Sequence, residues 1–430
     1  MYKNMNSKLL NRALLLAILS MSIFSCNKKN EEPAPTGVKG VVTDGSTSEV
    51  LSGVRVVLFD ANTNQATDNI TTTDVDGTYS FEAVAGSYFI TLTKQGYSDV
   101  PTRGVSALPF SIVSGSQLDN PVQMFANGAS NIGWIAGKLT STDASVAGSL
   151  VVATTGANGY STISDSEGNY IIYNVPAATY NVKAWKAEVN SPEVSATVTA
   201  DTETSDVNLA ISLTTGATVT GTITFLATAN IEVDVALTHP VTEEAIPGLN
   251  TITSNGSYSL PLVPDGEYLA RASYSNDGVV MDPDWIMKNG EPFVRVSGVD
   301  AIRNFSVTNA VSLTSPTNTA TSIDPVISSS VPTFTWLGYS STSDYVIEVS
   351  DENGNVIWGG FSTNWTVKNI TIPAAEISID FNSDGNATES LVSGNVYRWR
   401  VYASKNNVQS LTGWELISVS EDQQGLIIIE

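Results

Sequence analysis

The chain has 430 residues, with 43 Asp and Glu against 20 Lys and Arg, one histidine and one cysteine, for a net charge of −23. So acidic a balance argues against a nucleic-acid partner, which needs a basic footprint. A lone cysteine excludes internal disulfides, and a lone histidine excludes a multi-histidine zinc site. Gly, Ser, Thr, Asn and Val are plentiful and no long helical periodicity is present, so the fold class read from the sequence is all-β, with length enough for three or four domains.

The chain opens with MYKNMNSKLLNR, carrying Lys3, Lys8 and Arg12, followed by the apolar run Ala13 to Phe24. A basic stretch before a short apolar run predicts a secretory signal over 1–25, too short to span a bilayer as a mature helix. The residues Ile23-Phe24-Ser25-Cys26 resemble a bacterial lipobox, with an aliphatic residue at −3 and a small one at −1, although Phe24 is bulkier than usual at −2. The resemblance implies that Cys26 is lipidated and anchors the protein to a membrane. Removing residues 1–25 takes away three bases and no acid, leaving 17 bases against 43 acids, a net charge of −26. Residues 26–36 (CNKKNEEPAPT) are polar and hold two prolines, which predicts a tether. Acids this close to a lipidated cysteine are similar to the export signal of Bacteroidetes-type surface lipoproteins. That likeness implies the outer membrane, with the cell surface favoured over the periplasmic face.

Next comes a pattern repeated at about 90 residues. TDVDGTYSFEAVAGSYFITL (73–92), SDSEGNYIIYNVPAATYNVKA (164–184) and TSNGSYSLPLVPDGEYLARA (253–272) each place a glycine (Gly77, Gly168, Gly256) two residues before a tyrosine (Tyr79, Tyr170, Tyr258), then a second tyrosine (Tyr88, Tyr180, Tyr268). The glycine turn and the alternation after it predict a β-hairpin, with Tyr88, Ile90 and Leu92 on one face and Phe89, Thr91 and Thr93 on the other. Upstream of each, a short strand contains a glycine (Gly40, Gly137, Gly221), and a second strand follows; a closing strand ends each unit. The opening strand, the L-x-G-V second strand and the T-D-x-x-G-x-Y element resemble the carboxypeptidase regulatory-like domain, a transthyretin-like (prealbumin-like) β-sandwich. The resemblance covers 37–126, 132–213 and 216–309, weakest in the third copy. It implies accessory modules that scaffold, bind or space, strung as a rod.

The remaining residues, 310–430, begin with a Ser/Thr/Pro-rich boundary. Trp336 in PTFTW and Tyr397-x-Trp399-x-Val401 resemble the core of a fibronectin type III or Ig-like sandwich. Two features suggest ligands. Asp380, Asn382 and Asp384 before Gly385 match the first half of a calcium loop, with Glu389 in place of the missing bidentate glutamate; an Asx-rich loop solvated by water explains the same residues. Trp285, Trp358, Trp365 and Trp414 lie outside the clearest strand cores, where exposed indoles stack on sugars and covered ones pack under loops. His239 has no nucleophile motif beside it, so no catalytic site is expected. No cofactor other than calcium is implied. The composite expectation is a non-catalytic surface protein that binds a glycan or another surface protein, or else a stalk or assembly subunit.

Overall fold

The computed structural model describes residues 35–430 except 64, 103–106, 108, 227–231, 274–277, 319–324, 352–353 and 422–423. The signal segment, Cys26 and most of the tether lie outside the described residues. Among the described residues the fold is all-β, with one short helix, Pro283–Asn289. Among the described residues no helix is long and apolar enough to cross a membrane.

Each repeat folds into two facing sheets on one plan. In the first, Gly37–Asp44 pairs antiparallel with Thr78–Glu82 and parallel with the closing strands Gln117–Asp119 and Val122–Met124. The opposite sheet has the order Gln65–Thr72, Arg55–Asp60, Gly86–Thr93, Phe110–Ile112. The second repeat places Asn158–Ile163, Leu150–Thr155, Thr179–Trp185 and Val194–Thr197 in the same order, and the third Ala245–Thr253, Val233–Thr238, Gly266–Ser273 and Phe293–Val296. The outer two strands of this sheet in each repeat carry no strong sequence pattern; Gln65–Thr72, for example, is mostly polar, with no residue fully buried.

The expected hairpin is not a hairpin. Thr78–Glu82 and Gly86–Thr93 belong to opposite sheets, as do Asn169–Pro176 and Thr179–Trp185, and Ser257–Val263 and Gly266–Ser273. The chain crosses the sandwich between them, and the second tyrosine fastens the crossing: Tyr88, Tyr180 and Tyr268 each donate from the hydroxyl to the carbonyl four residues back, Val84, Pro176 and Pro264, at 3.1, 2.9 and 2.8 Å. Alternation fixes which face a side chain takes, not which strand lies beside it. The face assignment itself holds, since Tyr88, Ile90 and Leu92 are buried in the core of the first repeat.

The first tyrosine explains the strand glycine. Gly40, Gly137 and Gly221 sit directly opposite Tyr79, Tyr170 and Tyr258. Each ring lies across its glycine, and its hydroxyl donates to a carbonyl on the closing segment, of Asn120, Val207 and Arg303 respectively. A Cβ on these glycines would stand 2.1, 2.0 and 1.9 Å from those same carbonyl oxygens. Glycine therefore permits the close approach of the parallel strand, and the tyrosine covers the gap. Burial raises the pKa of all three phenols, as expected of hydroxyls kept as donors.

The repeats are not strung end to end. In the first repeat Val56 and Leu58 point inward, while Val57 and Phe59 join a second cluster with Leu150, Val152, Ile163 and Trp185 of the second repeat and the core of the third. Trp185 meets Tyr268 edge-on at 5.6 Å and His239 at 5.1 Å. Arg55, 8% exposed, donates to the Ile163 carbonyl at 2.5 Å, and Asn174 fills the bend Lys94–Tyr97 with four hydrogen bonds. The third repeat reaches the first where Asn250 donates to the Asn62 carbonyl. A rod requires polar outer faces; here the central strands of the first and second repeats are apolar on both faces, and the second face needs a partner.

The C-terminal region has a three-stranded sheet (Leu313–Ser315, Thr333–Trp336, Ser378–Asp380) and a larger sheet built around Asp344–Asp351 and Val396–Asn406. Between them lie Trp336, Trp358, Trp399, Phe334 and Tyr345, all at most 2% exposed. Phe125 of the first repeat packs on Val396 and Ile428, and Ser418 donates to the Asn309 carbonyl at the end of the third repeat.

Candidate functional site

Of the four tryptophans singled out from the sequence, the structure brings two together. On Val396–Asn406, Tyr397, Trp399 and Val401 enter the core, so Arg398, Arg400, Tyr402 and Ser404 take the outer face. On the neighbouring strand Asp344 and Glu348 take that same face, opposite Ser404 and Arg400. A tight turn from Gly359 to Asn369 folds back over it. Gly359 and Gly360 have φ of +71° and +64°, and a Cβ would stand 2.0 Å from the Ile347 carbonyl in one case and 2.7 Å from Glu348 Oε2 in the other. The pair of glycines lets the chain leave the sheet flush against it.

This flap carries Phe361, Trp365 and Lys368. Phe361 stacks on Trp365 at 4.8 Å with the planes 13° apart, and on Trp414 at 5.9 Å and 22°. Tyr402 meets Phe361 and Trp365 edge-on at 5.0 and 5.9 Å. Lys368 Nζ lies 4.6 Å over the Trp414 ring and donates to Asp344 Oδ1 and Ser404 Oγ, both at 2.6 Å. This largely buried ion pair pins the flap's return strand. Glu348 lies beneath Gly360, with the Tyr402 hydroxyl 3.5 Å from its Oε1. Burial pushes its carboxyl upward, and the Arg400 and Arg398 guanidiniums pull against that.

Trp365 has φ of +56°, a region bulky residues rarely take. Its N–H donates to the Ser362 carbonyl at 2.8 Å, while Ser362 Oγ accepts from the Thr366 and Val367 amides at 3.2 and 3.0 Å. The turn holds the indole half-buried at the surface, among the exposed Thr363, Asn364 and Thr366. Phe361, the residue that joins the two indoles, was not singled out from the sequence; the Gly-Gly-Phe step was the available signal.

The other candidates lie elsewhere. Trp358 is 2% exposed and belongs to the core, between Phe334 and Phe381, so it offers no face to a ligand. Trp285, in the helix, is partly buried against the third repeat. Asp384 accepts from Trp358 Nε1 at 2.7 Å and from Asn386, Asp380 accepts from Thr333, and the Asn382 side chain accepts from the Ala387 amide. Glu389 is exposed. Among the described residues no three Asp, Glu, His or Cys side chains gather at metal-binding range. His239 is buried, with Nδ1 accepting from the Val241 and Thr242 amides, so that nitrogen closes a turn.

A family model for the carboxypeptidase regulatory-like domain matches residues 37–111, most of the first repeat. No curated protein matches the chain. Among solved structures, the chain is similar to the TIE protein of Bacillus anthracis (13% identity over 64% of this chain and 51% of that one, TM-score 0.18). It is likewise similar to BcpA, the major pilin subunit of Bacillus cereus (12% identity, 64% and 99% covered, TM-score 0.18). A third is a DUF3823 family protein from Bacteroides uniformis (14% identity, 50% and 100% covered, TM-score 0.21). The chain spans about half the length of the Bacillus anthracis protein.

Proposed function

We propose that the chain is a non-catalytic binding and scaffold protein of the cell surface, held to the outer membrane by a lipid on Cys26, and that its C-terminal region binds carbohydrate through the flap face. The observation that carries this reading is Trp365. A half-buried indole in a left-handed backbone conformation costs about 1–3 kcal/mol, and such strain persists where surrounding structure enforces it for use. Phe361 stacks on the ring and the turn that carries it exposes Thr363, Asn364 and Thr366, a suitable setting for a sugar with one apolar face and a polar rim. The two sheets closed around Trp336 and Trp399 suit a fibronectin type III or Ig-like sandwich, and the match over 37–111 suits accessory modules. The alternative, a stalk that only spaces a partner from the membrane, draws less support from repeats packed side by side.

A glycan array probed with the full mature chain carrying Cys26→Ser tests the reading, with Trp365→Ala in parallel. Binding by the parent and its loss in Trp365→Ala is the expected result; an empty array sinks carbohydrate binding. Labelled palmitate should enter the wild type and not Cys26→Ala, and label retained by that variant would remove the anchor.

A further inference from the structure

We propose that the carbohydrate taken by the flap face is acidic, a uronic-acid type sugar whose carboxylate is received by Arg398 and Arg400 while its ring lies on Trp365. The inference rests on the carbohydrate reading of this same face. Residues 310–430 contain thirteen acids and only four bases, Lys368, Arg398, Arg400 and Lys405. Three of those four are gathered on the flap or on the sheet face it covers.

Their geometry divides the work. Lys368 is engaged by Asp344 and Ser404 and positions the flap. Arg400 and Arg398 follow Tyr402 along the outer face of one strand, at steps of about 7 Å, and Tyr402 touches the Trp365 ring edge-on. Glu348, opposite Arg400 in the register and beneath Gly360, interacts electrostatically with both guanidiniums. A guanidinium offers two parallel N–H donors to a carboxylate, a match that a neutral sugar does not use. Repulsion from the rest of the chain does not prevent contact, because charges more than about 8 Å apart are largely screened at physiological salt. On the face itself Lys368, Arg398 and Arg400 outnumber Asp344 and Glu348 by one.

The test is calorimetry on the full mature Cys26→Ser chain with galacturonate, mannuronate and glucuronate oligomers, their methyl esters, and oligoglutamate. Esterification removes the charge and keeps the sugar. The expected result is one acid oligomer bound at least tenfold tighter than its ester, with the preference falling as salt rises. Arg398→Gln/Arg400→Gln should bring the two within about twofold, and Trp365→Phe should weaken both. The acid-to-ester comparison needs no variant, so it stands even if a substitution unfolds the region. An ester bound as tightly as its acid, still dependent on Trp365, overturns the acidic assignment and leaves the carbohydrate reading standing. Oligoglutamate bound as tightly as any sugar acid overturns it by showing that charge alone is read. Failure of every oligomer, acid and ester, overturns it too, and if the neutral glycans of the array also fail, the carbohydrate reading falls with it.

Discussion

Asp234→Asn should stabilise the third repeat at neutral and alkaline pH and leave it unchanged in acid. Asp234 lies on Val233–Thr238, where Val233, Val235 and Leu237 fill the core, so its side chain takes the outer face opposite Ile252. Its Oδ1 is buried and has no hydrogen-bond partner among the described residues. Burial raises its pKa from 3.8 to about 6. The folded chain therefore holds this proton more tightly than the unfolded chain. The associated stability is complete below about pH 4 and is lost as pH climbs through about 6. At 1.36 kcal/mol per unit, a rise of about two units corresponds to about 3 kcal/mol at pH 8, as an upper bound. The quantity to read is the difference between wild type and variant, in which contributions common to both cancel. A chain of several modules does not unfold as one two-state unit, so the opening free energy should be read locally, by hydrogen exchange of the 233–238 amides. Asp234→Asn should match wild type at pH 4 and be protected by up to about 3 kcal/mol at pH 8. An equal gap at the two pH values, or a more stable wild type at pH 8, refutes the reasoning.

Gly221→Ala places a methyl carbon 1.9 Å from the Arg303 carbonyl and should destabilise the third repeat by about 1–3 kcal/mol, with the closing strand exchanging first; unchanged exchange at Phe305–Asn309 would contradict this. Trp185→Ala empties the junction between the second and third repeats and should cost about 3–5 kcal/mol. Limited proteolysis should then release the repeats separately; continued resistance would argue against the shared cluster. Asp384→Ala strips the acceptor from a buried indole N–H and should cost about 1–3 kcal/mol in denaturant titrations, equally with and without calcium. A cost that appears only with calcium present would restore the metal reading of the Asp380 loop.

The repeat was legible because its two tyrosines and its strand glycine do local work that each copy must do again. Tyr79 needs Gly40 opposite, and Tyr88 needs the carbonyl four residues back; both relations survive with little other sequence in common. The crossing between sheets was not legible. A turn glycine followed by alternation looks the same whether the next strand pairs in the same sheet or opposite it, since the choice is made by tertiary contacts. Among the tryptophans the difficulty was similar. Trp358 and Trp365 stand seven residues apart with a diglycine between them, and the flap reverses the chain so that one indole enters the core and the other lies outside the sheet. Composition marks both as large and apolar; only the path of the backbone separates them.

That path also bears on why the candidate site lies where it does. The central strands of the first two repeats are apolar on both faces, and their second faces settle on one another and on the third repeat: Val57 and Phe59 from the first and Leu150 and Trp185 from the second join the cluster that holds the core of the third. The large C-terminal sheet has the same requirement, with Val346 and Tyr402 on its outer face. It meets the repeats at its margins, through Phe125 and Asn309, and covers its outer face with its own short flap, Gly359 to Asn369. A flap so short cannot seal a sheet, so its aromatic rings remain half-buried at a solvent boundary, next to the guanidiniums that compensate Glu348. If a repeat had been docked there instead, Trp365 would have been one more buried indole like Trp185. The binding face on this reading follows from how each region covers the second side of its sheet.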